Sequence, residues 1–321
     1  MGAIVFVASF AIYAAFAAPA LGWLDSAEFV AAAATLGVPH SPGHPLQALL
    51  SNLATLVPVG DVAIRVNLLS SACMATANLL LYRGLVELGQ WQADGVSARW
   101  LEVGAGALTL SLGLAAPLWV QAGRAEVYAL HTALLTGALW TAIRYLRADR
   151  SSDLIAFGLI SGLALATHHF IALTLLVPCT AVVLWARKKD GSATAWVLRP
   201  SVRGLAMAVP AGALGLVAFA YLPLRAARDP LLNWGNPDTL GRLWWTISGR
   251  AFSGSLVDDH SSSLTTDLMQ VLAATLISAP ALLVLSLLGI YAALRLGKER
   301  ALLATCVATV GLVIVGRALL G

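Results

Sequence analysis

A succession of long apolar runs constrains this chain more than any other feature. A helix that crosses the hydrocarbon core of a bilayer needs about 20 predominantly apolar residues. Such runs fall at about 2–21, 62–86, 99–119, 127–146, 154–167, 170–186, 204–224, 271–294 and 301–319, the fifth being short. In lipid, backbone polar groups must be satisfied within the segment itself, so the runs read as helices. Composition agrees: 59% of the 321 residues are hydrophobic and 11% are charged, whereas a soluble domain has about 25% charged residues. So thin a polar coat excludes an ordinary cytosolic enzyme, a disordered chain and a nucleic-acid binder. The expected fold is an all-α polytopic membrane protein of about nine transmembrane helices, with residues 1–321 as one domain. Cys73, Cys179 and Cys306 all lie in apolar runs. They make neither a disulfide framework nor a metal-ligand spacing.

The first run reads as an anchor, because it lacks a basic leading region and exceeds the roughly 7–15 apolar residues of a signal peptide. Basic residues collect in alternate loops: Arg83 and Arg99; Arg144, Arg147 and Arg150; Arg187, Lys188, Lys189, Arg199 and Arg203; Arg295, Lys298 and Arg300. Cytoplasmic loops hold the excess of Lys and Arg, so the N-terminus is expected in the cytoplasm. The long loops 22–61 and 225–270 then face a periplasm or lumen, with a bacterial inner membrane as the expected location. Trp23, Trp119, Trp244 and Trp245 fall at the outer boundary and Trp91, Trp100, Trp185 and Trp196 at the inner one. Such belts anchor a bundle at its two interfaces.

Loop 22–61 has structure of its own. Asp25 or Ser26 can cap a helix over Ala27–Leu36, with Gly37 suited to its end. Pro39, Pro42 and Pro45 forbid its continuation. Leu46, Leu49, Leu50, Leu53 and Val57 recur at helical spacing, opposite Gln47, Ser51 and Thr55. That segment is too short to span, so it is expected to lie in the outer interface.

Charged groups avoid the helix centres, where one costs about 2.5–3.5 kcal/mol on insertion scales. Asn78 is the main polar residue deep in a run. This pattern favours a site at the outer interface over a pathway through the bilayer. Asp25 and Glu28, three apart, share one helix face; they suit either chemistry or a solvated cap. Arg65, Arg124 and Arg225 stand on the outer side, against the charge rule, with Glu126 and Tyr128 beside Arg124 in sequence. Guanidinium forks match phosphate oxygens, so a lipid-borne phosphate is one explanation of them; snorkelling or pairing with Glu126 is another. His40 and His44 lie in the proline-broken stretch, His131 one turn into the fourth run, and His168 and His169 at the outer end of the fifth. Loop polarity or hydrogen bonding accounts for these as well as ligand binding does. Asp258, Asp259 and His260 offer a possible divalent-cation site in a Ser-rich loop. No Gly-rich phosphate loop, nucleophile elbow or Cys-pair motif is present, and the motifs call for no cofactor beyond that candidate divalent cation.

Several stretches together resemble a known family. They are Trp23-Leu24-Asp25-Ser26-Ala27-Glu28-Phe29, Leu36-Gly37-Val38-Pro39-His40-Ser41-Pro42-Gly43-His44-Pro45, Arg65-Val66-Asn67-Leu68-Leu69-Ser70, Arg124-Ala125-Glu126-Val127-Tyr128-Ala129-Leu130, Thr167-His168-His169, Tyr221-Leu222-Pro223-Leu224-Arg225 and Asn233-Trp234-Gly235-Asn236-Pro237. The chain is similar over about 10–255 to a family of multi-pass membrane proteins long labelled a domain of unknown function. Its animal member is an O-mannosyltransferase of IPT domains. The resemblance implies a GT-C-like helix bundle and a polyprenyl-phosphate-linked sugar donor. It also implies transfer of a mannose-like hexose to a protein hydroxyl, or to a glycan, on the extracytoplasmic side. It makes Asp25 the catalytic acid residue with Glu28 beside it, and His40, Arg65, Arg124, Glu126, Tyr128, His168, His169 and Arg225 the substrate-binding set. The family usually shows His-Pro-Pro-Gly-Tyr-Pro where this chain has His40-Ser41-Pro42-Gly43-His44-Pro45, which bears on sugar or acceptor preference. The alternatives are a lipid or solute transporter, which needs a midplane polar site, and a scaffold, in which Asp25 and the outer arginines are replaceable.

Overall fold

The computed structural model describes residues 1–22, 25–92, 96–190, 193–198 and 200–252. The last two apolar runs, Trp23, Cys306 and the Asp258, Asp259 and His260 group lie outside the described residues.

Each of the first seven apolar runs becomes helix. The first forms α1 (Gly2–Ala15) and the second α4 (Val62–Gln92). The third is broken: α5 (Ala98–Gly113) and α6 (Ala116–Ala122) meet at 75°. Pro117 has no N–H for a carbonyl one turn back, which ends α5 there. The fourth is α7 (Val127–Ala148), and the fifth and sixth fall together in α8 (Ser151–Leu184). A two-stranded antiparallel hairpin follows, β1 (Trp185–Asp190) with β2 (Ala193–Leu198), Trp185 opposite Leu198. The seventh run is α9 (Val202–Leu216), continued through a 3-10 turn, Val217–Ala220, into α10 (Tyr221–Ala226). The first long loop holds α2 (Ser26–Thr35) and α3 (Pro45–Thr55), close to the expected bounds, and α11 (Leu240–Ile247) follows α10. The described elements are thus helical apart from the one hairpin.

Val62–Trp91, Ser151–Leu184 and Val202–Ala226 are long and apolar enough to cross a membrane, and the bent α5–α6 pair makes a fourth candidate. The expected nine are not established among the described residues. α1 has 14 residues, about 21 Å of helix, and α7 interrupts its apolar face with His131, Arg144 and Arg147.

α8 is not straight. At His168 the backbone leaves the helix (φ −159°, ψ 82°). A straight helix would put Leu184 about 45 Å from Leu154. A Cβ on Gly204 would lie 3.3 Å from Leu154 Cδ2. Across the paired hairpin ends, the chain from Leu184 to Gly204 reaches less than about 40 Å. The second half therefore leans back along the bundle. Leu154 and Phe157 from one half, and Leu176, Cys179 and Val183 from the other, share a buried cluster with Ala138, Ala142 and Tyr145 of α7.

Small residues let α9 approach α8. A Cβ on Gly162 would collide with the Gly212 carbonyl, and one on Gly158 with that of Ala208. Close backbone approach of this kind holds helices together where lipid offers no hydrophobic driving force. Asn78 does similar work between α1, α4 and α5. Its Nδ2 donates to Ser9 Oγ and Tyr13 Oη, both at 2.9 Å, and Tyr13 Oη donates to the Gly113 carbonyl at 2.8 Å. The deepest amide is thus structural glue, and the small cavity beside it is largely apolar, walled by Ala8, Ile12, Leu110 and Leu114. At the end of α7 away from α2 and α3, Arg144 pairs with Asp153 at 3.0 Å and Arg147 with Glu87 at 2.6 Å.

Candidate active site

Most of the sequence-predicted site residues converge at one end of the bundle. Asp25 is the N-cap residue of α2, yet its side chain makes no capping hydrogen bond. The cap expected of it is not made, and its carboxylate instead faces Glu28 and His40. One ligand atom from each of these three lies within 4.8 Å of the others, the one such group of His, Cys, Asp and Glu among the described residues. The carboxylates and imidazole could hold a divalent cation. The imidazole already has a partner: His40 Nδ1 lies 3.0 Å from Glu28 Oε2, and the His40 backbone N–H donates to Glu28 Oε1 at 2.6 Å. Glu28 therefore orients the ring. Burial opposes charging of His40, but the hydrogen bond and charge of Glu28, helped by Asp25 and Glu126, outweigh it and raise its pKa above the usual value.

The tight connection before α7 supplies the second half of the cluster. Arg124 Nη2 stands 3.9 Å from Glu126 Oε1, and the guanidinium also donates to Gln121 Oε1 at 3.3 and 3.4 Å. At 3.9 Å and with weak side-chain bonds, the guanidinium has donor capacity to spare. Glu126 is 2% exposed. Burial, reinforced by the charge of Asp25 and only partly offset by Arg124, pushes its carboxyl up to about 7. Tyr128, in the first turn of α7, lies within electrostatic range of Asp25, Arg124 and Glu126.

Behind these charges runs a file of imidazoles. Ring centroids are 5.1 Å apart for His40 and His44, 5.5 Å for His44 and His168, and 5.8 Å for His168 and His131, with Tyr128 at 6.1 Å from His168. His44 is fully buried, and its Nδ1 donates to the Thr167 carbonyl at 2.8 Å. Burial, with His168 and His40 adding to it, drives its pKa well down. It is neutral, with Nε2 left to accept. Both ring nitrogens of His131 and the Nδ1 of His168 are buried with no hydrogen-bond partner among the described residues. His169 turns elsewhere, its ring 4.1 Å from that of Phe170. The sequence placed His131 and His168 at the outer ends of neighbouring runs, but their meeting with His44 depends on the turn at His168.

Arg65 and Arg225 lie apart from this cluster. Arg65 donates to the carbonyls of Thr55, Val59 and Gly60 at 2.6, 2.9 and 2.8 Å, closing the connection between α3 and α4. Arg225 Nε donates to the Leu36 carbonyl at 2.7 Å and Nη2 to that of Thr35 at 3.2 Å. Leu36 is left-handed (φ 49°), a conformation few non-glycine residues adopt, and Arg225 with Tyr221, whose Oη donates to the Gly37 carbonyl at 2.7 Å, holds it there. Among the expected phosphate arginines, Arg124 alone joins Asp25. The loop that delivers His40 is packed on α10: Gly43 takes φ 92°, and a Cβ there would press on Leu222.

Comparison with known proteins agrees with this geometry. The model of the protein O-mannosyl-transferase TMEM260 N-terminal domain matches residues 25–193, more than half of the 321 residues. That span holds every residue of the cluster just described. Mouse protein O-mannosyl-transferase TMEM260 is 32% identical over 222 residues, 67% of this chain. The match covers 29% of that relative's length. No solved structure matches. With its family model matched over more than half of the chain, the chain belongs to the TMEM260 N-terminal domain family of protein O-mannosyl-transferases.

Proposed function

We propose that the protein is a membrane glycosyltransferase of GT-C type, a bundle of about nine transmembrane helices. It moves a mannose-like hexose from a polyprenyl phosphate to a protein hydroxyl on the extracytoplasmic side. The cytoplasmic N-terminus follows from the loop charges, and α3 and α11 lie along the outer interface. The observation that carries the reading is the Asp25 carboxylate: it leaves its own helix uncapped and joins a Glu28–His40 pair and the Arg124–Glu126 pair.

Asp25 takes the proton of the acceptor hydroxyl as its oxygen attacks the anomeric carbon. The bond from that carbon to the phosphate oxygen breaks, its electron pair leaves with the lipid phosphate, and the centre inverts. Arg124 receives the charge that develops on the phosphate. Below about pH 7 Glu126 is mainly protonated and does not compete for Arg124 while a phosphate is bound. His40, held by Glu28, positions the acceptor beside Asp25. The polar file behind it admits donors and acceptors without adding fixed charge.

The test uses purified protein in detergent with a polyprenyl-phosphate hexose and a hydroxyl acceptor peptide. Asp25→Asn should lower turnover by about a hundredfold to ten-thousandfold. Arg124→Ala should lose roughly a hundredfold, about 2.7–4 kcal/mol of transition-state stabilisation. Both should elute as the wild type does. Near-normal turnover in Asp25→Asn would remove Asp25 as the base.

A further inference from the structure

We propose that Trp234 and Phe252, with the side-chain oxygen of Asn233, form a pyranose-binding face beside His40. This rests on the transferase reading and adds the surface that recognises the sugar ring.

The turn that presents Trp234 is fixed to the catalytic loop by backbone bonds. Val38 N–H donates to the Leu232 carbonyl at 2.7 Å, and Trp234 N–H donates to the Val38 carbonyl at 3.1 Å. Val38 and Asn233 thereby form a parallel bridge, two residues before His40. The Trp234 ring lies 6.5 Å from that of His40 and the Phe252 ring 6.3 Å from it. Both aromatics remain 43% exposed. Gly235 takes φ 65°, and a Cβ there would meet Thr246 Oγ1 at 2.7 Å and the Trp245 ring at 3.1 Å. The turn is therefore seated hard on α11 and cannot swing its tryptophan away. The Phe252 N–H donates to the Gly249 carbonyl at 2.9 Å, and Gly249 itself is packed on Phe170, where a Cβ would lie 3.1 Å from the ring.

The polar half of the face is incomplete within the protein. Asn233 Nδ2 donates to Asn236 Oδ1 at 3.0 Å, so Oδ1 points the other way. It is buried with no hydrogen-bond partner among the described residues, and buried acceptors are nearly always satisfied. A hydroxyl is a suitable donor for it. A pyranose offers both complements at once: a face of weakly positive C–H groups that packs on the negative face of an aromatic ring, and hydroxyls at its rim. The face adjoins the Asp25, Glu28 and His40 group, with the His40 ring 6.5 Å from that of Trp234.

The ring bound here belongs either to the donor hexose or to a sugar already on the acceptor, and the test separates them. Full-length protein in detergent is titrated with methyl α-mannoside, methyl α-glucoside and methyl α-galactoside, and saturation-transfer NMR reads contact with the ring protons. Saturation should appear in the wild type, vanish in Trp234→Ala, persist in Trp234→Phe and weaken in Asn233→Ala. Trp244→Ala, on the exposed side of α11, should behave as the wild type. Trp234→Leu, which keeps bulk and loses the π face, gives the same decision if the alanine variant aggregates. In turnover assays the KM for one substrate should rise about five- to tenfold in Trp234→Ala; a rise for the lipid-linked sugar assigns the donor, a rise for a glycosylated acceptor assigns the acceptor. Equal saturation in the wild type and Trp234→Leu, or unchanged KM for both substrates, overturns the face while leaving the transferase reading intact. Trp234-dependent saturation in a protein that transfers no sugar leaves the face standing and removes the transferase reading.

Discussion

Glu126 shows how single residues tune this site. Its carboxyl, raised from the ordinary 4.5 to about 7 by burial, changes charge in the range where the enzyme would work. Once ionised it competes with a lipid phosphate for Arg124. The kcat/KM profile should therefore fall as pH rises through about 7, and Glu126→Gln should lack that limb. Stability follows the same sign. Between the unfolded value and about 7 the folded protein binds the extra proton, so this group's contribution declines as pH rises across that window. His40 acts in the same direction: its pairing with Glu28 stabilises fully below the unfolded value and is lost as pH rises through its raised folded one. Thermal unfolding in detergent from about pH 5 to 8 should show a steeper decline in the wild type than in Glu126→Gln. Asp25 and Glu28 were legible in the sequence because carboxylates at a helix start are conspicuous; His40 was not, since a loop imidazole serves as readily as a plain polar group. Nor was the role of Glu126, since its pKa depends on atoms brought from α2 and the His40 loop.

Among elements, the short latch at the end of α2 and the glycine contact of α8 with α9 bear the most weight. Arg225 binds two carbonyls of a left-handed helix end. Arg225→Ala should cost about 1.5–3 kcal/mol of stability, seen as a lowered unfolding midpoint, while KM for the donor stays unchanged. A raised KM with normal stability would instead return Arg225 to the phosphate site. Gly162 has no room for a side chain against Gly212. Gly162→Ala should cost about 1–3 kcal/mol through overpacking, and size-exclusion profiles and unfolding curves would register it. Amphipathic spacing announced α2 and α3 to within a residue or two, since periodicity is a local property. The turn in α8 was visible only as a gap between two runs. Whether that gap was a loop, a break or a continuous helix depended on packing against α7 and α9.

For the whole molecule, the arrangement puts Asp25, His40 and Trp234 at one end and the Arg144–Asp153 and Arg147–Glu87 pairs toward the other. With the N-terminus in the cytoplasm, a single cysteine at exposed Val59 should react with an impermeant maleimide in intact cells. One at exposed Arg150 should react only after permeabilisation. The reverse pattern would place the site in the cytoplasm and exclude the proposed donor side. The transporter alternative loses its one sequence support, because Asn78 is committed to Ser9 and Tyr13.

What the sequence alone determined is the helical membrane class, the first long loop with its two short helices, and the acidic pair that opens it. Apolar length, proline position and helical spacing are all properties of neighbouring residues, so no tertiary knowledge is needed to read them. Only the tertiary structure decided which charges work together. Arg65, Arg124 and Arg225 look alike in a sequence, but a guanidinium binds whatever acceptors the fold brings within about 3 Å. For Arg65 and Arg225 those are backbone carbonyls, whereas Arg124 has Gln121 only at 3.3 Å and the Glu126 carboxylate at 3.9 Å. The imidazole file closes where His44 meets His168, and the aromatic face where His40 meets Trp234, each pair more than a hundred positions apart in the chain.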